Sequence, residues 1–262
     1  MLFTVFGVPI QSFGVSKLLA VFLAALILGR SFERLGYTRT TAYRLVLWAT
    51  VWGFVGAKVH FLVESEAVIG WSTLGGAGFN WYGGLIGGTL AVALFSRLHG
   101  LRLGAVAGAI AVPLSLAYGI GQIGCFLAGD GSYGRPTDLP WALSFPNGVV
   151  PVDVPVHPAS LYETAGAFLV AAILWTFRRR LGAMTVFGTY LILSGLVRLL
   201  VELVRADEPV LIGLSAPQVL SAASIVVGLG LIVVARRRAR RTEAAIRAAV
   251  ALGFGALERL ER

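Results

Sequence analysis

The chain has 262 residues, 57% of them apolar and only 13% charged, with a formal net charge of +9 and a mean hydropathy of +0.81. A soluble domain carries about 25% charged and about 45–50% apolar residues. The composition therefore excludes a disordered chain, a nucleic-acid-binding domain and an ordinary cytosolic enzyme, and leaves a polytopic integral membrane protein, all-α by the length of its apolar runs.

Apolar runs long enough to cross about 30 Å of hydrocarbon fall at residues 6–29, 42–62, 81–95, 103–128, 160–177, 183–204 and 215–235. The third is short and glycine-rich. Backbone polar groups in lipid must be satisfied within the segment, so about seven transmembrane helices are expected. The first run lacks a basic leader and a small-residue cleavage site and is read as retained. One set of alternate loops, with the tail from Arg236, holds 17 of the 22 lysines and arginines. The positive-inside rule makes that set cytoplasmic and puts the N-terminus outside. This divides the chain into a membrane domain, 1–235, and a basic cytoplasmic tail, 236–262, whose RRRARR run anchors topology near anionic lipid.

Lys17, Lys58, Arg135, Arg198 and Arg205 lie outside the cytoplasmic set, as do nine of the 13 acids. A charge within the bilayer costs at least about 2.5–3.5 kcal/mol on insertion scales, so such groups face a bundle interior and pair. Residues 129–159 form the longest loop, on the outer side, with six prolines and apolar residues between them. That composition suits a turn-rich outer cap, and the alternation in residues 141–145 allows a short strand. Gly119, Gly121 and Gly124 match GxGxxG, but inside a membrane span and with no strand before them. Gly83, Gly84, Gly87 and Gly88 form two overlapping GxxxG pairs. Both sets fit close helix packing; the other reading is room for a lipid headgroup. Cys125, the one cysteine, allows no intrachain disulfide and no cysteine-rich metal site. It reads as a small buried packing residue.

His157-Pro158-Ala159-Ser160-Leu161-Tyr162-Glu163 opens the fifth run. Proline suits a first helical turn, and a carboxylate just inside it meets the positive end of the helix dipole. Arg198-Leu-Leu-Val-Glu202-Leu-Val-Arg205 closes the sixth. Arg198 and Glu202 are spaced i,i+4, and Glu202 and Arg205 i,i+3, so they share a face. With Arg135 from the cap, the outer end carries surplus guanidinium, whose planar fork matches phosphate oxygens. Lys58 adds a further charge. The chemistry expected is a site for an anionic phospholipid headgroup within an apolar bundle.

These motifs resemble the prolipoprotein diacylglyceryl transferase family. The resemblance runs from about Ser12 to Ser221 through Ser12-Phe13-Gly14, Trp81-Tyr82-Gly83-Gly84, residues 121–126, Gly134-Arg135, HPASLYE, RLLVELVR and Gln218. It implies a seven-helix fold of the bacterial inner membrane, with two substrates: phosphatidylglycerol and the lipobox peptide of a prolipoprotein. Diacylglyceryl passes to the lipobox thiol and glycerol 1-phosphate leaves; no cofactor, metal or nucleic acid takes part. On this reading Arg198, Arg205 and Arg135 hold the phosphate beside Gly134, and Glu202 orients the arginines. Glu163 and His157 shape the site or relay a proton. The chain departs from the family pattern at several positions. Tyr82 stands where a histidine is usual, Gln122 for an arginine, Cys125 for an asparagine and Phe13 for a tyrosine, and residues 129–134 run one residue longer. Tyr82 donates a hydrogen bond but is a poor base at neutral pH, and Gln122 keeps hydrogen bonding without charge. Two other readings stay open: a divergent paralogue that binds anionic phospholipid and uses another acceptor, and a non-catalytic lipid-binding membrane protein.

Overall fold

The computed structural model describes residues 3–5, 8–10, 12–64, 78–205, 209–211 and 213–260; side chains are described from Ser12 onward, except at 209–212, 245, 246 and 248–260. Helices dominate: α1 (Ser12–Arg34), α2 (Arg39–Glu64), α3 (Trp81–Leu98), α4 (Leu103–Ala128), α5 (Ala159–Phe177), α6 (Ala183–Glu202) and α7 (Ala216–Leu260). Three two-stranded antiparallel hairpins complete the described elements: β1 (Phe3–Val5) with β2 (Val8–Ile10), β3 (Leu143–Phe145) with β4 (Val152–Val156), and β5 (Pro209–Leu211) with β6 (Leu214–Ser215).

The helices sit where the apolar runs predict them, and their ends differ for local reasons. The run from residue 6 begins as a hairpin, and α1 starts only at Ser12. Val5, Val8 and Ile10 are β-branched and Pro9 cannot donate within a helix, so this apolar stretch favours extended backbone. Asn80 caps α3, its side chain accepting from the Tyr82 amide at 2.8 Å. Gly129 ends α4 in the left-handed region at φ 60°. Pro158 caps α5 one position earlier than expected, and the helix starts at Ala159. α7 continues without a break past Arg236 to Leu260; its 45 residues span about 67 Å at ~1.5 Å per residue.

Six helices are long and apolar enough to cross a membrane, and α3 is the one among the described residues that is not. Its glycines trade apolar surface for proximity, and Arg97 lowers its hydropathy further. α3 is carried by α2. A Cβ added at Gly87 would lie 2.5 Å from the Trp52 carbonyl, and one at Gly83 would collide with the Gly56 carbonyl. α6 and α7 meet the same way, a Cβ at Gly188 lying 2.7 Å from the Gly228 carbonyl. In lipid, association rests on such backbone contact, because tails are as apolar as leucine. The glycines of α4 are also packing positions. Gly119 lies under Phe168 and Ala167 of α5, and Gly124 against Ser16 of α1.

Two apolar clusters fill the bundle. Leu28, Phe32, Ala42, Leu45, Phe95 and Val106 join α1 to α4 towards the arginine-rich loops. Ala111, Val112, Val170, Leu174 and Val186 join α4, α5 and α6. Large apolar side chains instead face outward, among them Leu18, Val63, Leu90 and Val226, as expected where the surroundings are lipid. The interior half nearest the cap is polar: Ser115, Ser160, Glu163, Thr164 and Glu202 are all buried there.

Candidate active site at the capped end of the bundle

Glu163, the fifth residue of α5 and just past its first turn, is 1% exposed. Four side chains converge on it from three segments. Tyr118 of α4 donates its hydroxyl to Oε2, and Gln122, one turn later on the same face, donates Nε2 at 2.7 Å. Arg198 of α6 donates Nη1 to Oε1 at 3.0 Å, and Arg205, just beyond that helix, lies 3.6 Å from the same oxygen. Arg198 Nη1 is also 2.9 Å from Glu202 Oε2, so the expected i,i+4 pair forms and one guanidinium bridges two buried carboxylates. The other Glu202 oxygen accepts the hydroxyl of Ser215, the last residue of β6 and the one that leads into α7. Helices α4, α5 and α6 and the lead into α7 are thus tied by one polar network. A lone buried carboxylate costs several kcal/mol in effective desolvation, and this network supplies the compensation.

A backbone ladder assembles the rest of the site. His157 N donates to Arg135 O at 3.1 Å, and Gly134 N to His157 O at 2.9 Å. Arg135 N donates to Val204 O at 2.7 Å, and Gly134 pairs with Arg205. Three short extended segments, from the cap, the residue before α5 and the exit of α6, therefore run side by side. Gly134 sits where a Cβ would press on the Val204 carbonyl and lie 2.7 Å from His157 Cβ. The Arg135 guanidinium folds back, Nε donating to the Arg205 carbonyl at 3.0 Å. Arg135, His157 and Arg205 are brought together in this way, next to Glu163.

The cap above them is a built structure. The strand expected near residues 141–145 forms as β3 and pairs with β4. Phe145 stacks on Tyr133 at 4.4 Å and meets Phe126 of α4 edge-on at 5.6 Å. Asp130 accepts from Ser132, whose hydroxyl lies 3.1 Å from that of Ser160 on α5. A cleft of about 490 Å³ runs between Ser12, the end of α4 and the β3–β4 turn. The arginine–carboxylate cluster is not among its walls.

Lys58 and Tyr82 stand elsewhere at the same end. Lys58 Nζ lies 3.4 Å from the Gly78 carbonyl and over the rings of Phe79 and Phe61, at 4.8 and 5.4 Å. Tyr82 is in the first turn of α3, its ring edge-on to Trp81. These contacts hold both residues to the α2–α3 pair. Of the ten residues singled out from sequence, Gln122, Glu163, Arg198, Glu202 and Arg205 join in one network, and Gly134, Arg135 and His157 in the adjoining ladder. Tyr118, Ser215, Tyr162 and Trp141 were missed. Tyr118 had a signal, a hydroxyl one helical turn before Gln122. So did Ser215, which forms a capping box with Gln218: Ser215 N donates to Gln218 Oε1 at 3.0 Å.

Fold and site together define a multi-pass helical membrane protein with a guanidinium–carboxylate centre under a β-hairpin cap at one end of its bundle. The sequence profile of the prolipoprotein diacylglyceryl transferase family matches residues 1–234. The chain is similar to the phosphatidylglycerol–prolipoprotein diacylglyceryl transferase of Clostridium tetani, with 30% identity over 235 residues, 87% of this chain and 94% of that protein. It is also 30% identical over 251 residues to the protein of that name from Pseudomonas fluorescens, across 90% and 93% of the two chains, and 28% identical over 233 residues to that of Clostridioides difficile. The chain belongs to the prolipoprotein diacylglyceryl transferase family.

Proposed function

We propose that this protein transfers the diacylglyceryl group of phosphatidylglycerol to the lipobox cysteine of prolipoproteins, releasing glycerol 1-phosphate. The single observation that carries the site assignment is the bridging of Glu163 and Glu202 by Arg198, with Arg205 and Arg135 alongside. The nucleophile is the substrate's own thiol, which reacts as thiolate. Its sulfur attacks the glycerol carbon; the C–S bond forms as the C–O bond to phosphate breaks. Negative charge then builds on the departing phosphate monoester, where preorganised guanidinium groups stabilise it most. Arg198, Arg205 and Arg135 supply them, with Gly134 letting the segments that carry Arg135, His157 and Arg205 close together. Glu202 and Glu163 fix the arginines' orientation, and Gln122 holds Glu163. His157 lies beside the phosphate. Tyr82 and Lys58, on the α2–α3 pair, face the headgroup's approach, Tyr82 as a hydrogen-bond donor and Lys58 as a cation. The charge map supports an inner-membrane protein with its N-terminus outside and the tail from Arg236 in the cytoplasm.

The test is complementation. Cells in which this chain is the sole diacylglyceryl transferase should process their prolipoproteins, and cells carrying Arg198→Ala should not. Accumulation of unmodified prolipoprotein with the wild-type chain would overturn the proposal. Release of glycerol phosphate from labelled phosphatidylglycerol without labelled lipoprotein would point to another acceptor.

A further inference from the structure

Trp141, on the cap just before β3, donates Nε1–H to the Tyr162 hydroxyl at 2.7 Å. That hydroxyl lies 3.2 Å from His157 Nδ1, with the two rings edge-on. The indole N–H only donates, so the Tyr162 oxygen is an acceptor there. The Tyr162 proton then has one acceptor among the described residues, His157 Nδ1. The reverse assignment, Nδ1–H donating to Tyr162, would aim two donors at one phenol oxygen and leave the phenol proton with no acceptor among the described residues. Hydrogen-bond satisfaction therefore favours one direction throughout: indole to phenol, phenol to imidazole.

We infer that this chain of donors fixes the neutral tautomer of His157 with its proton on Nε2, making His157 a hydrogen-bond donor to an anionic phosphate beside Arg135 and Arg205, and that Trp141 is the cap's positioning residue for it. The anion part rests on the proposed function above; the tautomer does not. The backbone ladder that ties His157 to Gly134 and Arg135, and these to residues 204 and 205, brings His157 into the same group of segments that carries Arg135 and Arg205. A donor suits that company and a general base does not. Donors in series polarise one another, which strengthens the last one. The arrangement also links the cap to the site, because displacing Trp141 leaves the tautomer unfixed.

The test uses the full-length protein, labelled isotopically at histidine, in phosphatidylglycerol-free micelles. Only His60, His99 and His157 contribute, so long-range proton–nitrogen correlations resolve each tautomer, and His157→Gln assigns its signal. The wild type should show the Nε2–H form of His157. Tyr162→Phe and Trp141→Phe should each give a mixture, with the His60 and His99 signals unmoved as a control for folding. Added glycerol 1-phosphate should shift the His157 Nε2 proton, with about tenfold weaker affinity in Tyr162→Phe; inorganic phosphate distinguishes a headgroup from a free anion. An Nδ1–H form in the wild type, or equal populations in all variants, would overturn the relay. A His157 signal unmoved by glycerol phosphate would overturn its role as anion donor. If the tautomer and its loss appear but no lipobox peptide is lipidated, the proposed function fails and the relay stands.

Discussion

Arg198 makes two ion pairs with carboxylates that are almost wholly shielded, Glu163 and Glu202. Truncating it takes a charged partner from both and leaves their remaining partners, Tyr118, Gln122 and Arg205 at Glu163 and Ser215 at Glu202, to offset the burial. Breaking a buried pair costs about 3–5 kcal/mol, so Arg198→Ala should lower the unfolding midpoint in detergent as well as abolish transfer. Arg198→Lys separates the two effects. It keeps the charge and loses the fork, so stability should return in part while transfer stays low. A lysine variant with wild-type activity would show that charge alone is needed. Arg198 and Glu202 were legible because opposite charges spaced i,i+4 inside an apolar helix can offset each other's cost of leaving water. Tyr118 and Ser215 carried local signals, a hydroxyl one turn before Gln122 and a capping box with Gln218, but which carboxylate each meets depends on the helix lying opposite, and neither pattern encodes that.

The α6–α7 contact offers a paired test on one helix. Gly228 lies against the Gly188 carbonyl, and Gly230, two residues on, has nothing within 4 Å of an added Cβ. Gly228→Leu overpacks the contact at about 1–3 kcal/mol, whereas Gly230→Ala should be neutral or stabilise by about 0.5–1 kcal/mol through helix propensity. Thermal unfolding in micelles reads both; equal effects would refute the packing account. In the cap, Phe145→Ala removes the stack on Tyr133 and should raise protease cleavage within residues 129–159 while the helices stay intact. At this scale the apolar runs located every helix among the described residues, and Leu103–Ala128 to the residue. They did not reveal the first hairpin, where high hydropathy hides a β-branched pattern, nor that α7 runs on into the basic segment. Alanine and paired charges such as Arg247 with Glu243, 2.5 Å apart, sustain a helix beyond the bilayer as well as within it.

Across the whole molecule, charge is partitioned. Arginine clusters mark the loops at one end of the bundle, and the other end holds the paired carboxylates and guanidiniums under the cap. A reporter fused after Arg262 should therefore be active in the cytoplasm, and one at the N-terminus outside; the opposite pattern would put the site on the wrong face for exported prolipoproteins. The membrane class and the polar end were legible from composition and the positions of charges. The α2–α3 pair was less so, since Lys58 and Tyr82 belong to the same end but their described contacts are with the aromatic residues and carbonyl around the start of α3. The central claim is that the Arg198-bridged centre moves diacylglyceryl onto a cysteine. Mass spectrometry of a lipobox peptide, incubated with the purified protein and phosphatidylglycerol of defined chains, tests it most directly. The account predicts a mass increase of one diacylglyceryl group on the cysteine with the wild type and none with Arg198→Ala; an unmodified peptide with the wild type, or equal modification by both proteins, would contradict it.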